Sequence, residues 1–166
     1  MDLDHPIPES VKVPSPPRGT FQAKTDVKGR LPLPSAILTY LKALQAKQVF
    51  ITTIDTTIGR IYTIPAWDKT LELLASAEGE DQERATRVMF MANHYGQDVE
   101  VDSADRVLLP TELRRHLSLE GATVHLEAGA GFVNIYSDDL YQANYSAYRP
   151  QVADDVKALR KKIGLK

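Results

Sequence analysis

The chain has 166 residues, 43% of them apolar, which is enough for a packed core and excludes wholesale disorder. Its net charge of −2 gives no bulk attraction to a polyanion. The absence of cysteine removes disulfides, thiolate zinc sites and a cysteine nucleophile.

Residues 1–18 carry Pro6, Pro8, Pro14, Pro16 and Pro17, which remove backbone donors and oppose helix. They predict an extended or disordered tail. The segment lacks the charged-then-apolar pattern of a signal peptide, and no apolar run approaches the ~18 residues that a bilayer span needs. The sequence therefore reads as cytoplasmic.

Beyond the tail, one pattern occurs twice. Asp26-Val27-Lys28-Gly29-Arg30-Leu31-Pro32-Leu33-Pro34 matches Asp102-Ser103-Ala104-Asp105-Arg106-Val107-Leu108-Leu109-Pro110 at an offset of 76 residues. Asp, Arg, two apolar positions and Pro coincide. Ile37 and Leu41 then match Leu113 and Leu117, and Ile61-Tyr62-Thr63 matches Ile135-Tyr136-Ser137 after a shift of two residues. A repeat of this kind predicts two copies of one supersecondary unit.

In the first copy, 20–25 reads as a strand and 26–29 as a turn, with Asp able to bond its own backbone and Gly able to take positive φ. Residues 30–33 read as a second strand. Pro34 can open a helix whose apolar face is Ile37, Leu38, Leu41 and Leu44. Strands follow at 49–54 and 59–64. Helices are expected at 66–77 and 81–93, broken at Glu78-Gly79-Glu80. The second copy repeats the order: strands 97–101 and 106–109, helix 110–117, strands near 123–127 and 132–136, and a helix from Asp138, with Asp138-Asp139 as its cap. Residues 152–163 predict an amphipathic helix with Val152, Val156, Leu159 and Ile163 on one face. The expected divisions are a tail (1–18), a first unit (20–66), a helical linker (67–95), a second unit (96–140) and a basic helical tail (141–166).

Charge is uneven along the chain. Residues 20–66 hold six basic against two acidic residues, a net +4, while 96–140 hold three against nine, a net −6. Residues 141–166 again hold six against two, a net +4. Asymmetry of this kind points either to polyanion contact, which would fall on the first unit, or to packing of opposite charges within an assembly.

The two Asp-x-x-x-Arg turns carry the chemistry. A tight turn projects Arg from a rigid base, and the planar guanidinium can grip phosphate or the O6/N7 edge of guanine. Asp braces the turn, and Lys24 and Lys28 add phosphate attraction. His5, His94, His116 and His125 share no metal-ligand spacing, Gly129-Ala130-Gly131 is a turn without the longer phosphate-loop pattern, Trp67 reads as core, and no Ser/His/Asp arrangement stands out. The chain is not expected to be an enzyme or to need a cofactor.

These motifs resemble the MraZ family, bacterial proteins built from two AbrB-type, or swapped-hairpin, units. The resemblance spans 18–147. It begins at Arg18-Gly19, passes the first Asp-x-x-Gly-Arg turn and Ile61-Tyr62-Thr63-Ile64-Pro65-Ala66-Trp67, resumes at Arg87 and at Val99 to Pro110, and ends at Ile135-Tyr136. It implies an α+β fold in which the two units pair as an intramolecular pseudo-dimer β-barrel with flanking helices. It further implies a homo-oligomer ring whose turns face double-stranded DNA bearing tandem G-rich repeats, upstream of the division and cell-wall gene cluster. The expected activity is transcriptional regulation, mostly repression, in a nucleoid-associated protein with no membrane and no small-molecule substrate.

Carried over by position, the DNA-contact residues are Asp26, Lys28, Gly29 and Arg30, with Asp102 and Arg106 from the second unit. Lys24 joins them on charge. Two departures stand out. Residues 1–17 extend beyond the family's usual start, and Asp105 occupies the place of the turn Gly. A second carboxylate beside Arg106 repels phosphate and makes positive φ less comfortable. Arg30 is therefore expected to matter more than Arg106. A ring that has lost DNA binding and serves as an interaction scaffold is the alternative.

Overall fold

Turn chemistry and the alternation of apolar residues divide the computed structural model, which describes residues 12–166, into eight strands and six helices. Most of the expected tail lies outside the described residues. Its last part, 12–18, has no regular secondary structure, and Pro14 and Pro17 border a cleft against Ala36, Thr39 and Tyr40.

The first half runs β1 (Thr20–Lys24), β2 (Arg30–Pro32), α1 (Ser35–Ala43), β3 (Gln48–Thr52), β4 (Gly59–Thr63), α2 (Ile64–Ala75) and α3 (Glu80–Tyr95). The second half repeats that order as β5 (Gln97–Glu100), β6 (Arg106–Leu108), α4 (Thr111–His116), β7 (Thr123–Gly129), β8 (Phe132–Ser137), α5 (Asp138–Tyr148) and α6 (Val152–Ile163). Local chemistry explains the matched boundaries. Pro34 and Pro110 precede α1 and α4. Thr63 and Ser137 cap α2 and α5 by accepting the N–H groups of Ala66 and Leu140. The cap of α5 is thus Ser137 rather than Asp138-Asp139. Those two carboxylates sit in the first turn, where they face the positive end of the helix dipole.

All strand pairs are antiparallel. Six strands form one sheet in the order β1-β7-β8-β4-β3-β5, and β2 pairs with β6 in a separate two-stranded ribbon. First-half strands therefore meet second-half strands four times, as β1 on β7, β4 on β8, β5 on β3 and β2 on β6. The helices repeat the exchange. From α1, Tyr40 Oη bonds Gly129 and Gly131 in the β7–β8 turn, while from α4, His116 bonds the Thr56 carbonyl in the β3–β4 turn.

The sheet does not close into the barrel expected from the sequence. Its edges are β1 and β5, because each diverges from its following strand directly after the turn. Asp26 N–H bonds the Arg30 carbonyl, but the next donor back, Thr25 N–H, turns to Ala122 in the other half. Correspondingly, Asp102 N–H bonds Arg106 while Val101 N–H bonds Lys47.

The core fills the space between sheet, ribbon and α1/α4. Leu31, Ile37, Leu41, Ile51, Ile61, Val107, Leu109, Leu113, Leu126 and Ile135 are fully buried in it. A second cluster gathers Tyr62 and Phe50 around Trp67 on α2, with ring centroids 5.0 and 4.7 Å away. On the same face of the sheet His125 stacks on Tyr141 at 3.8 Å and bonds Asp138 at 2.7 Å, fixing α5 to β7. Among the described residues no helix is long and apolar enough to cross a membrane, and no cluster of His, Asp or Glu could hold a metal ion.

Candidate nucleic-acid interface

Each Asp-x-x-x-Arg turn is built by its own aspartate. Gly29 N–H bonds the Asp26 carbonyl at 3.0 Å, closing a β-turn. Asp26 Oδ1 accepts the N–H groups of Lys28 (3.0 Å) and Arg30 (2.9 Å), and Asp26 Oδ2 accepts Arg30 Nε. The second turn reproduces the set. Asp105 N–H reaches the Asp102 carbonyl at 3.0 Å, Asp102 Oδ1 accepts Ala104 and Arg106 N–H at 2.9 Å, and Oδ2 accepts Arg106 Nε at 3.1 Å.

The Asp26 carboxyl is held below its ordinary value first by the Arg30 N–H, with the Arg30 side chain and Lys28 N–H adding to it against partial desolvation. The Asp102 carboxyl is lowered in the same way, first by the Arg106 N–H. Both stay ionised because the bonded form is the charged one.

The residue closing each turn has positive φ, +82° at Gly29 and +60° at Asp105. Asp105 thus adopts the conformation that the sequence made doubtful. Asp is one of the few non-Gly residues that occupies the left-handed region readily. Its carboxylate points towards α1, 4.0 Å from Lys42 Nζ.

The β2–β6 ribbon sets the direction of both arginines. Leu31 and Val107 pair across it and are fully buried, so the alternate residues face outward. Arg30 lies opposite Leu108, and Arg106 opposite Pro32. The outer face therefore carries two guanidinium groups at diagonal corners with Pro32 and Leu108 between them. The Arg30 and Arg106 side chains are 38% and 34% exposed. Among the described residues neither gives a terminal guanidinium nitrogen to a protein acceptor. Asp holds Nε, and the outer two nitrogens remain open.

Of the residues singled out from sequence, Asp26, Lys28, Gly29 and Arg30 share one turn, and Asp102 and Arg106 share its counterpart. Lys24 ends β1, exposed and opposite Thr123, two residues before the first turn. Gly29 is buried, so its part is backbone geometry rather than surface contact.

A transcriptional regulator MraZ of Acidobacterium capsulatum is 30% identical over 142 residues, covering 86% of this chain and 95% of the relative. The chain belongs to the MraZ family. A further MraZ regulator, from Legionella pneumophila, is 33% identical over 131 residues, covering 76% of this chain and 82% of its own. One from Koribacter versatilis is 26% identical over 145 residues, covering 86% and 95%. No model of a protein family matches the chain.

Sequence reasoning missed two neighbours of the MraZ turns. Lys42 of α1 reaches the second turn, and Arg114 of α4 packs beside Gly29 in the first. In the sequence Lys42 is one of the six basic residues of 20–66, with nothing to tie it to the second turn. Arg114 carried a signal, since it lies four residues after Pro110 where the repeat has apolar Leu38 four after Pro34.

Proposed function

We propose that this MraZ chain is a sequence-specific DNA-binding transcriptional regulator, acting as a repressor at tandem G-rich repeats upstream of the division and cell-wall gene cluster. In this reading its two halves are AbrB-type swapped-hairpin units paired as an intramolecular pseudo-dimer. The four strand exchanges between halves support that. The protein works at the nucleoid in the cytoplasm and carries out no catalytic step.

The observation that carries the reading is the bracing of Arg30 and Arg106. An arginine whose Nε is fixed by its own aspartate loses little freedom when its terminal nitrogens meet guanine O6/N7 or a phosphate. A two-stranded ribbon is narrow enough for the major groove. Exposed Leu108 and Pro32 between the arginines suit apolar contact with thymine methyl groups. Lys24 and Lys28 add phosphate attraction at the first turn.

One protomer offers only two such arginines, so affinity is summed over a ring. Leu73 and Phe90 on α2 and α3 are exposed, as are Tyr145, Tyr148 and Ile163 on α5 and α6. α3 starts with Glu80, Asp81 and Glu83, and α6 ends with Arg160, Lys161 and Lys162. In the proposed ring α5/α6 of one copy docks on α2/α3 of the next, a head-to-tail contact that closes by rotation.

Mobility shifts on the DNA upstream of the protein's own gene test the reading. Arg30→Ala abolishes specific binding, while Arg106→Ala costs less because Asp105 already weakens phosphate attraction there. Equal or reversed effects refute the ranking. The second reading, an interaction ring without DNA, draws on the carboxylates beside both arginines. It predicts no binding, or binding that salt does not weaken.

A further inference from the structure

We propose that Arg114 is a positioning residue for the first DNA-binding turn, supplied by the opposite half of the chain; this rests on the DNA-binding reading above. Its guanidinium is mostly covered, the side chain being 16% exposed, so it presents little surface to a ligand. Nη1 donates to the Leu109 carbonyl at 2.8 Å and Nε to Glu120 Oε1 at 3.1 Å. Leu109 N–H donates to the Gly29 carbonyl at 2.9 Å, and Gly121 N–H, next to Glu120, donates to the Asp26 carbonyl at 2.8 Å. Arg114 therefore joins the two segments that grip the turn at its entry and its exit.

The same side chain explains the glycine. A Cβ at Gly29 would overlap Arg114 Cδ and lie 2.8 Å from Nε. The second turn has one half of this bracket. Leu33 N–H donates to the Asp105 carbonyl at 3.1 Å. Among the described residues, however, Asp102 receives no backbone donor from outside its own turn, and Leu38 stands where Arg114 stands in the repeat. What remains is the exposed Lys42–Asp105 pair, which contributes little rigidity. The first turn is thus pre-organised by Arg114, and the second is held more loosely.

Two full-length variants test this. Arg114→Leu installs the residue of the equivalent repeat position, and Arg114→Lys keeps the charge but loses the forked donor. Three quantities are read for each: affinity for the duplex upstream of the protein's own gene, affinity for a scrambled duplex of equal length, and amide exchange. Both variants should weaken specific binding about tenfold, the scale of losing a charge-assisted hydrogen bond. The scrambled duplex and the salt slope should be unaffected. The amides of Gly29, Arg30 and Gly121 should exchange faster, and those of Ala104 and Arg106 at the old rate. A fall on both duplexes with the salt slope reduced by about one would make Arg114 a phosphate contact and overturn the proposal. Unchanged exchange at the first turn would overturn it as well. If the wild-type protein does not distinguish the duplexes, the regulator reading fails, while exchange still decides whether Arg114 holds the turn. Gly29→Asn, which tolerates positive φ, supplies an independent check. Its loss of melting temperature should shrink in an Arg114→Ala background, which removes Cδ and Nε, and an equal loss in both would count against the contact.

Discussion

A single carboxylate does most of the work in each turn. Asp26 and Asp102 each take two backbone N–H groups and one guanidinium, so the charged form is required. Their lowered pKa values give the pH dependence. The folded value lies below the unfolded one, so the stabilisation is complete above the ordinary carboxylate value of 3.8 and is lost as pH falls through the lowered folded value. Carboxyl resonances of Asp26 and Asp102 followed by NMR should titrate below those of exposed aspartates, and Asp26→Asn should loosen the first turn at neutral pH. Gly29→Ala meets both positive φ and Arg114. It should cost at least the ~1–2 kcal/mol of the left-handed conformation, measured by urea unfolding. The aspartate and arginine were legible in the sequence because their bonds span four residues. The Arg114 contact was not, because it joins residues far apart in the chain and depends on which half packs on which.

The β2–β6 ribbon is the element on which both arginines depend. Its inner face is Leu31 against Val107, both fully buried, so neither turn has a foundation independent of the other. Leu31→Ala should cost about 2–5 kcal/mol in unfolding, as for other fully buried leucines, and should raise amide exchange at both turns together. Exchange rising at the first turn alone would show that the ribbon does not act as one unit. Alternation and turn residues located every strand to within about two residues, and 152–163 is the helix that the apolar stripe predicted. The register of the repeat was less legible. α1 has nine residues and α4 six, so Leu44 and Leu117, rather than Leu41 and Leu117, occupy matching C-cap positions. The following residues, Gln45 and Ser118, both take φ near +56°, a stop that no glycine announces. Strand partners were invisible to periodicity, because a pattern of faces does not say which strand lies alongside.

At the scale of the molecule, charge read by segment does not translate into charge in space. Because the halves exchange strands, Lys42 of the basic segment sits at the second turn and Arg114 of the acidic segment at the first. The +4 and −6 segments therefore do not form one attractive and one repulsive face. What distinguishes the turns is the local presence of Asp105 and of the Arg114 bracket. In the proposed ring the exposed helices carry the contacts between copies. Leu159→Asp with Ile163→Asp, on the open face of α6, should reduce the oligomer in light scattering and leave the melting temperature of the protomer nearly unchanged, since neither side chain is buried in the chain itself. It should also weaken DNA binding steeply, by removing summed contacts rather than any one of them. The most direct measurement is sequencing of the genomic DNA retained by the purified protein at low and high salt, for the wild type and for Arg30→Ala with Arg106→Ala. Outward guanidinium groups reading base edges predict one short recurrent G-containing motif that survives the higher salt and disappears in the double variant. The same motif retained by the double variant, or no motif in the wild type, would contradict the account.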